Sequence, residues 1–463
     1  MAVDEIGGEH RITAPLVLSI AGTVWYAVIW GMGLVGCIAA RKRYRLRPRS
    51  PTSTAPASSA PGVSILRPLR GLDTNLYENL ESAFLQEYNN YEIILSVADE
   101  NDQALPVVRD LLAKYPNVNA RVIIGDENVG INPKVNNLIR PYREAKHDIL
   151  WVLDSNVTVA PGTLARAVDI LHPPSPSPTP SRRRIALVHH VPFAFAHQPT
   201  LGSRIEEAFL NTNHAKMYIA INTLAVDSCV MGKSNLYRRS DLERVDGTLK
   251  PISKTVDDGQ PHTRGLLAFG RFLAEDNMIA GALWHELDLR HDLSCDVAHN
   301  AIGNMTLSDY VWRRVRWIRV RKHMTLAATM TEPLTETFML SIIASASFRY
   351  LFGIPPWLFL PLHYVAWIFV DLDVYASLAG YPLPSSKRWP FLAAWAAREL
   401  MAFPIWLTAV VGNEVEWRGR KYQVLANGQV ARSSGGGGLF GWLRVGRGRP
   451  EADAYEPLAQ SDD

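Results

Sequence analysis

The chain has 463 residues, 47% of them hydrophobic and 20% charged, which is enough for one large domain or two smaller ones. A formal charge of only +3 provides no global field toward nucleic acid, and no nucleic-acid partner is expected. The 3 cysteines, Cys37, Cys229 and Cys295, lack C-x-x-C spacing, which argues against a structural zinc or a disulfide framework and fits a cytosol-facing domain.

Residues 1–13 read as a short lumenal N-terminus. The run 14–40 is uncharged and exceeds the ~20 apolar residues that span ~30 Å of hydrocarbon. It is too long for a signal-peptide core, and its positive residues follow rather than precede it, so it reads as an uncleaved transmembrane anchor. Arg41, Lys42, Arg43, Arg45, Arg47 and Arg49 form an acid-free block that places the following domain on the cytoplasmic side. The linker 41–62 ends in SPTSTAPASSAP (50–61), a low-complexity spacer expected to bury no core.

A globular region is expected over 63–330. Strand-like runs at 63–66, 91–98, 120–124 and 148–153 alternate with helical patterns at 76–86, 104–114 and 133–143. Strand alternating with helix predicts an α/β fold with a doubly wound, parallel sheet. Ligands in such sheets bind beyond the carboxyl ends of the strands, where Asp99 and Asp154 each stand. The Pro/Ser-rich stretch 172–184 and the polar stretch 246–264 read as surface insertions.

From Thr331 to residue 412 the chain is apolar again. Candidate membrane segments lie at 334–354, 355–370 and 391–411, interrupted respectively by Arg349, by two opening prolines and by Arg398-Glu399. The tail 413–463 carries Arg418, Arg420, Lys421, Arg444, Arg447 and Arg449, which makes it cytoplasmic and requires an even number of crossings. Two spanning segments, with the third interfacial or re-entrant, meet that requirement. The end of the tail, beginning at Ser433–Gly438, reads as disordered.

Transfer of a sugar from a nucleotide diphosphate needs fixed cations or a divalent metal at the leaving group, and a base for the acceptor hydroxyl. An inverting transfer forms no covalent intermediate, so one carboxylate suffices as base. Asp154 ends an apolar run and is followed by Ser155-Asn156, as suits a phosphate or metal ligand; Asp also simply starts turns. Asn156 stands where a D-x-D motif would place its second carboxylate, so Mg²⁺ or Mn²⁺ would rest on Asp154 and the phosphates. Asp99 is placed to accept from a uracil N–H or a ribose, with an Asx-type turn the plainer alternative and Asp102 a competitor.

In Gly130–Asn137 (GINPKVNN), Asn132 caps a helix that starts at Pro133, and Lys134 beside that start makes an anion site; ordinary capping explains the same residues. Glu275-Asp276 opens another helix, where acids are favoured by the dipole alone. The functional reading of Asp276 depends on Arg313, Arg316 and Trp317, which read Arg-x-x-Arg-Trp on a helix. A basic interfacial helix held at anionic lipids is the alternative for that element. His189-His190 is a candidate pocket wall or a core pair.

Three aspartates followed by (Q/R)xxRW resemble the signature of membrane-bound inverting glycosyltransferases. GINPKVNN, Asp154-Ser155, VHHVPF (188–193), AEDNMIA (274–280), RRVRW (313–317) and VEWRGRKY (415–422) resemble the ceramide glucosyltransferase family, in fungal style, over residues 14–425. That resemblance implies a GT-A domain with a mixed, mostly parallel sheet, UDP-glucose as donor and ceramide as acceptor. It further implies inversion to a β-glucoside and a multi-pass Golgi membrane protein whose site faces the cytosol. Carried onto this chain, it makes Asp99 and Asp154 donor-binding, Asp276 the base, and Arg313, Arg316 and Trp317 a donor/acceptor clamp. Two competing readings remain: a processive polysaccharide synthase of the chitin, cellulose or hyaluronan kind, and a degenerate sphingolipid- or nucleotide-binding scaffold.

Overall fold

The computed structural model describes residues 13–173, 183–197, 199–251, 263–417, 420–425 and 430–432. The segment before Thr13 that is expected to be lumenal, the centres of the two expected insertions and the end of the tail lie outside the described residues.

Helix α1 (Ala14–Tyr44) continues past the apolar run, so that Arg41, Lys42 and Arg43 fall in its last turn, where the macrodipole favours cations. The alternating region follows as β1 (Val63–Pro68), α2 (Leu76–Phe84), β2 (Tyr91–Val97), α3 (Leu105–Lys114), β3 (Ala120–Ile124), α4 (Pro133–Glu144) and β4 (Ile149–Leu153). Next come β5 (Val157–Thr158), α5 (Thr163–Leu171), β6 (Ile185–Phe195), α6 (Leu201–Phe209), α7 (Ala215–Leu224), β7 (Ser234–Arg238) and the short α8 (Arg239–Leu242). A π-helical turn, Leu210–His214, joins α6 to α7. The domain closes with α9 (Glu275–His285), β8 (Arg290–Ala301) and α10 (Leu307–Lys322), the last held at its start by a capping box between Thr306 and Asp309.

The strands form one 8-stranded sheet in the order β3-β2-β1-β4-β7-β6-β8-β5. Four neighbouring pairs are parallel (β3–β2, β2–β1, β1–β4, β6–β8), whereas β7 runs antiparallel to both β4 and β6, and β5 antiparallel to β8. The sheet is therefore mixed rather than purely parallel. Period-2 alternation sends Ile65, Ile93, Leu95, Trp151 and Leu153 into a core under α2, α3 and α5. Leu66, Ile94, Leu150 and Val152 enter a second core under α4 and α9.

The spacer 50–61 is held against the domain. Ser50 and Ala60 are buried, and the Thr52 hydroxyl donates to Asp169 of α5 at 2.7 Å. Low complexity removed the large apolar side chains but left hydroxyls and small residues that dock on α5.

The C-terminal region comprises α11 (Leu326–Thr331), α12 (Thr337–Phe352), α13 (Pro356–Ala379) and α14 (Arg388–Val411), then a small antiparallel sheet of β9 (Glu414–Trp417), β10 (Arg420–Val424) and β11 (Val430–Arg432). Among the described residues, three helical stretches are long and apolar enough to cross a membrane: Ala14–Tyr44, Pro356–Ala379 and Ser385–Val411. Helices α12 and α13 form a hairpin against α1, which Thr13 and Tyr350 mark near one end and Arg41 and Asp373 toward the other. Helix α14 instead packs along α6 and α10 of the α/β domain. Its buried Arg398 is neutralised by Glu336 at 2.5 Å and by Glu399, which explains how those charges are tolerated there. Its C-terminal carbonyls accept from α10: Arg319 donates to Thr408, and Lys322 to Val410 and Gly412.

Candidate active site

The site is assembled where β4 ends, α4 begins, α9 begins and β7 begins. Each polar residue of GINPKVNN has a defined task. The Asn132 side chain accepts from the Lys134 and Val135 amides and donates to Glu275 at 2.8 Å, which ties the start of α4 to that of α9. Asn136 accepts from Val129 and Gly130, and Asn137 donates to the carbonyls of Leu69 and Ser96 at the ends of β1 and β2. Gly130 is required by close approach, since a Cβ there would lie 2.4 Å from the Gly270 carbonyl.

Lys134 is the hub. Its ammonium lies 2.8 Å from Asp154 Oδ1 and 2.9 Å from Glu275 Oε1. Burial alone would lower its pKa, but Asp154, Glu275 and Asp276 together hold it well above the ordinary lysine value. Lys233, just before β7, approaches the other side of Asp154: its ammonium is 3.1 Å from Asp154 Oδ2 and 3.0 Å from Asn156 Oδ1. Burial would raise the Asp154 pKa; the two lysines outweigh that and hold it below its ordinary value.

Asp276 stands next to this cluster, half-buried in the first turn of α9. Burial, and then the Glu275 carboxylate beside it, push its pKa up to about 7, with Lys134 opposing. A carboxylate poised near neutrality is suited to accept a proton in this pH range.

The structure thus brings together Lys134, Asp154 and Asp276, three of the residues expected from the sequence. Asp99 lies in an exposed turn after β2, its carboxylate accepting from the Asn101 amide at 2.6 Å. Among the described residues it has no hydrogen bond or ion pair to the Lys134 cluster. Asp102 accepts from the Gly71 and Ala104 amides. Arg313 donates through Nε to the buried Glu206 of α6 at 3.0 Å. Arg316 is half-buried on the same helix, and Trp317 is exposed. The far end of α10 does reach the site region: Val320 packs with Ala274, Val415 and Tyr422, with Ile131 and Met324 alongside. GINPKVNN, the start of α9, α10 and the tail sheet therefore share one small core.

His189 and His190 are buried in β6 and brace the loop before β7. His189 Nδ1 lies 2.5 Å from Tyr218 Oη, which accepts from the Met231 amide; His190 Nδ1 lies 2.7 Å from Ser234 Oγ. Burial lowers both imidazole pKa values, that of His190 to about 4, so both are neutral at pH 7.

Lys233, Glu275 and Arg67 were not among the residues expected to form the site. Arg67, buried at the end of β1, donates to Val157 O from both Nη atoms at 3.2 Å. Burial lowers its pKa to about 9, against the pull of Asp154 and Asp73. Glu275 is visible in the sequence as the neighbour of Asp276, whereas Lys233 has no local signal.

Among the described residues no group of three or more His, Cys, Asp or Glu side chains could hold a metal ion by itself. The donor set still fits a hard cation completed by phosphate oxygens. Asp154 Oδ2 and Asn156 Oδ1 converge on one point, and that point is held by the ammonium of Lys233. A divalent ion would take Asp154 and Asn156 as its protein ligands.

Residues 26–260 and 262–430 match the profile of glycosyl transferase family 21. The chain belongs to glycosyl transferase family 21. Its catalytic region is accordingly a GT-A domain, in keeping with the mixed, mostly parallel sheet. Ceramide glucosyltransferase of Komagataella phaffii is 36% identical over 465 residues, covering 88% of this chain and 90% of that protein. The Candida albicans ceramide glucosyltransferase is 32% identical, covering 78% of this chain and 86% of that protein. Among solved structures, a mannosyltransferase from Pyrobaculum calidifontis in complex with GDP-Man and Mn²⁺ is 18% identical at a TM-score of 0.43, covering 86% of this chain and 98% of that one.

Proposed function

We propose that the protein transfers glucose from UDP-glucose to the primary hydroxyl of ceramide, with inversion, forming β-glucosylceramide. The observation that carries this reading is the position of Asp276, a carboxylate raised to about 7 beside a lysine-bridged Asp154–Glu275 pair. Its family membership and the ceramide glucosyltransferases it resembles support the lipid acceptor and do not favour a polymer synthase or an inactive scaffold.

Asp276 accepts the proton of the acceptor hydroxyl as that oxygen attacks the anomeric carbon. Lys134 and Lys233 supply positive charge where the UDP diphosphate departs. A divalent cation held by Asp154 and Asn156 would add to that neutralisation when bound. Asp99 is assigned to the uridine: β1 separates the ends of β2 and β4, so Asp99 and Asp154 stand about two strand spacings, ~10 Å, apart, the scale of a nucleoside diphosphate. Arg313, Arg316 and Trp317 are assigned to the clamp through α10. In this reading α1 anchors the chain, two of the C-terminal apolar helices form the returning pair and the third lies along the interface. The protein then sits in the Golgi membrane with its catalytic domain facing the cytosol.

Purified full-length protein in ceramide-containing micelles should release UDP from UDP-glucose and yield a single-sugar lipid by mass spectrometry. No UDP release, or turnover by Asp276→Asn equal to the parent, sinks the proposal. An ethanol-precipitable polymer as product would shift the reading to a polysaccharide synthase.

A further inference from the structure

A cavity of about 560 Å³ opens at the end of α1, lined by Lys42, Arg43, Leu46, Arg47, Pro48 and Cys295. None of these residues belongs to the Lys134 cluster. The cavity lies within the basic block, whose charges are only partly answered. Asp373 takes Arg41 and Arg45 at 2.5 and 2.8 Å, and Asp292 of β8 takes Arg43 at 2.6 Å. Arg47 donates to a neutral group, the Leu378 carbonyl, at 3.1 Å. Lys42 is exposed and makes no ion pair among the described residues. Three cations thus border the cavity, with one carboxylate paired to them.

The other walls are apolar. Leu46 is 77% exposed, held in the open beside Arg47, and Pro48 follows it. A soluble anion has no use for these side chains, whereas a headgroup carrying a glycerol backbone and acyl chains does. The location agrees, because the basic block begins where the apolar run of α1 ends, at the level of the membrane surface. Cations at that level gain from anionic lipid, whose phosphates they meet in a region of reduced dielectric.

We propose that this cavity binds the phosphate-bearing headgroup of one anionic phospholipid in the leaflet facing the catalytic domain. Lys42 and Arg47 pair with the headgroup charges, Arg43 stays tied to Asp292, and Leu46 and Pro48 meet the glycerol and upper acyl chain. The bound lipid would touch both α1 and β8, the latter through Cys295. The inference rests on the membrane orientation proposed above and is independent of the glucosyl-transfer reading.

The test is native mass spectrometry of the full chain in detergent. The protein is incubated in turn with phosphatidylcholine, phosphatidylserine, a phosphatidylinositol phosphate and inorganic phosphate. The parent should retain one anionic phospholipid and no phosphatidylcholine. Retention should fall about tenfold or more in the Lys42→Gln/Arg47→Gln double variant. It should fall as far in Leu46→Glu, which keeps all the cations of the block. Undiminished retention by both variants, or equal retention of phosphatidylcholine, overturns the proposal. Inorganic phosphate displacing the lipid at equal concentration overturns it in favour of a soluble anion. UDP release measured on the same samples reports folding and tests the transferase reading separately. Protease accessibility of the 413–463 tail in sealed vesicles tests the orientation separately.

Discussion

Gly232 and Asp276 are in direct apposition: a Cβ built on Gly232 would lie 2.2 Å from Asp276 Oδ2. The loop before β7 thus forms the wall against which the candidate base rests. Gly232→Ala must push the carboxylate aside, because its nearest atoms include Asp276 Cγ and Cβ as well. Displacement of a reacting group by about 1 Å costs on the order of 100-fold in rate. The expected result is kcat lowered by that order with UDP affinity little changed, measured by UDP release and by calorimetric titration of UDP.

The raised pKa of Asp276 sets a pH dependence. The base works when deprotonated, so kcat/KM should rise with pH through about 7 and level off above it. A flat profile from pH 5.5 to 8.5, with binding still saturable, would show that another group removes the proton.

The same shift has a consequence for stability. A carboxylate whose folded pKa lies above its unfolded value binds protons more tightly when folded, so its contribution declines as pH rises from about 4 to 7. Above pH 7 the folded state carries the strain of an ionised Asp276 beside Glu275. Asp276→Asn should abolish turnover while raising the melting temperature at pH 8 and not at pH 4. The gain, after solvent screening at this half-buried group, is about 1–2 kcal/mol. Differential scanning fluorimetry in detergent at the two pH values reads the sign.

Lys233 occupies the point on which Asp154 and Asn156 converge. Lys233→Met removes one of the two ammonium groups that face a bound diphosphate. UDP affinity in the presence of a chelator should fall about tenfold or more, the loss of one charge-assisted contact. Saturating Mn²⁺ should restore most of it by taking the vacated point. Equal losses with and without Mn²⁺ would place Lys233 outside the diphosphate site.

Lys216 of α7 and Asp371 of α13 form a pair with both side chains 1% exposed, joining the catalytic domain to the apolar helices. Trp395 of α14 donates to the other Asp371 oxygen at 2.8 Å, and the Lys216 ammonium sits 3.9 Å from the centre of the Trp367 ring. Lys216→Met leaves a buried carboxylate without its cation and should destabilise by about 3–5 kcal/mol. Lys216→Met/Asp371→Asn should recover much of that, read as the temperature at which the detergent-solubilised protein leaves its monodisperse peak.

Local pattern made much of this protein legible. Strand and helix periods in 63–153 appear in the structure within a few residues, because each segment carries its own apolar face. Asn132-Pro133 fixed the start of α4, since capping is a matter of adjacent residues. Asp154 and Asp276 were visible as acids at element ends, and the apolar helices as long uncharged runs. Composition alone leaves the spacer 50–61 free of the core, because it does not register that Thr52 docks on Asp169 of α5 or that the Ala60 carbonyl accepts from Asn90.

Tertiary structure alone decided what those residues face. Antiparallel pairing of β4 with β7 sets Leu153 opposite Ser234, and so brings Lys233 beside Asp154. No local pattern joins residues separated by so much chain; the register of a sheet does, because it also buries both strands' apolar faces. In the same way, Lys134 bridges to Glu275 only because Asn132 ties two helix starts together, and Arg313 meets Glu206 only because α10 packs on α6. Sequence supplied the acids and cations of the site; their pairing, and the burial beside Glu275 that raises the Asp276 pKa, came from the fold.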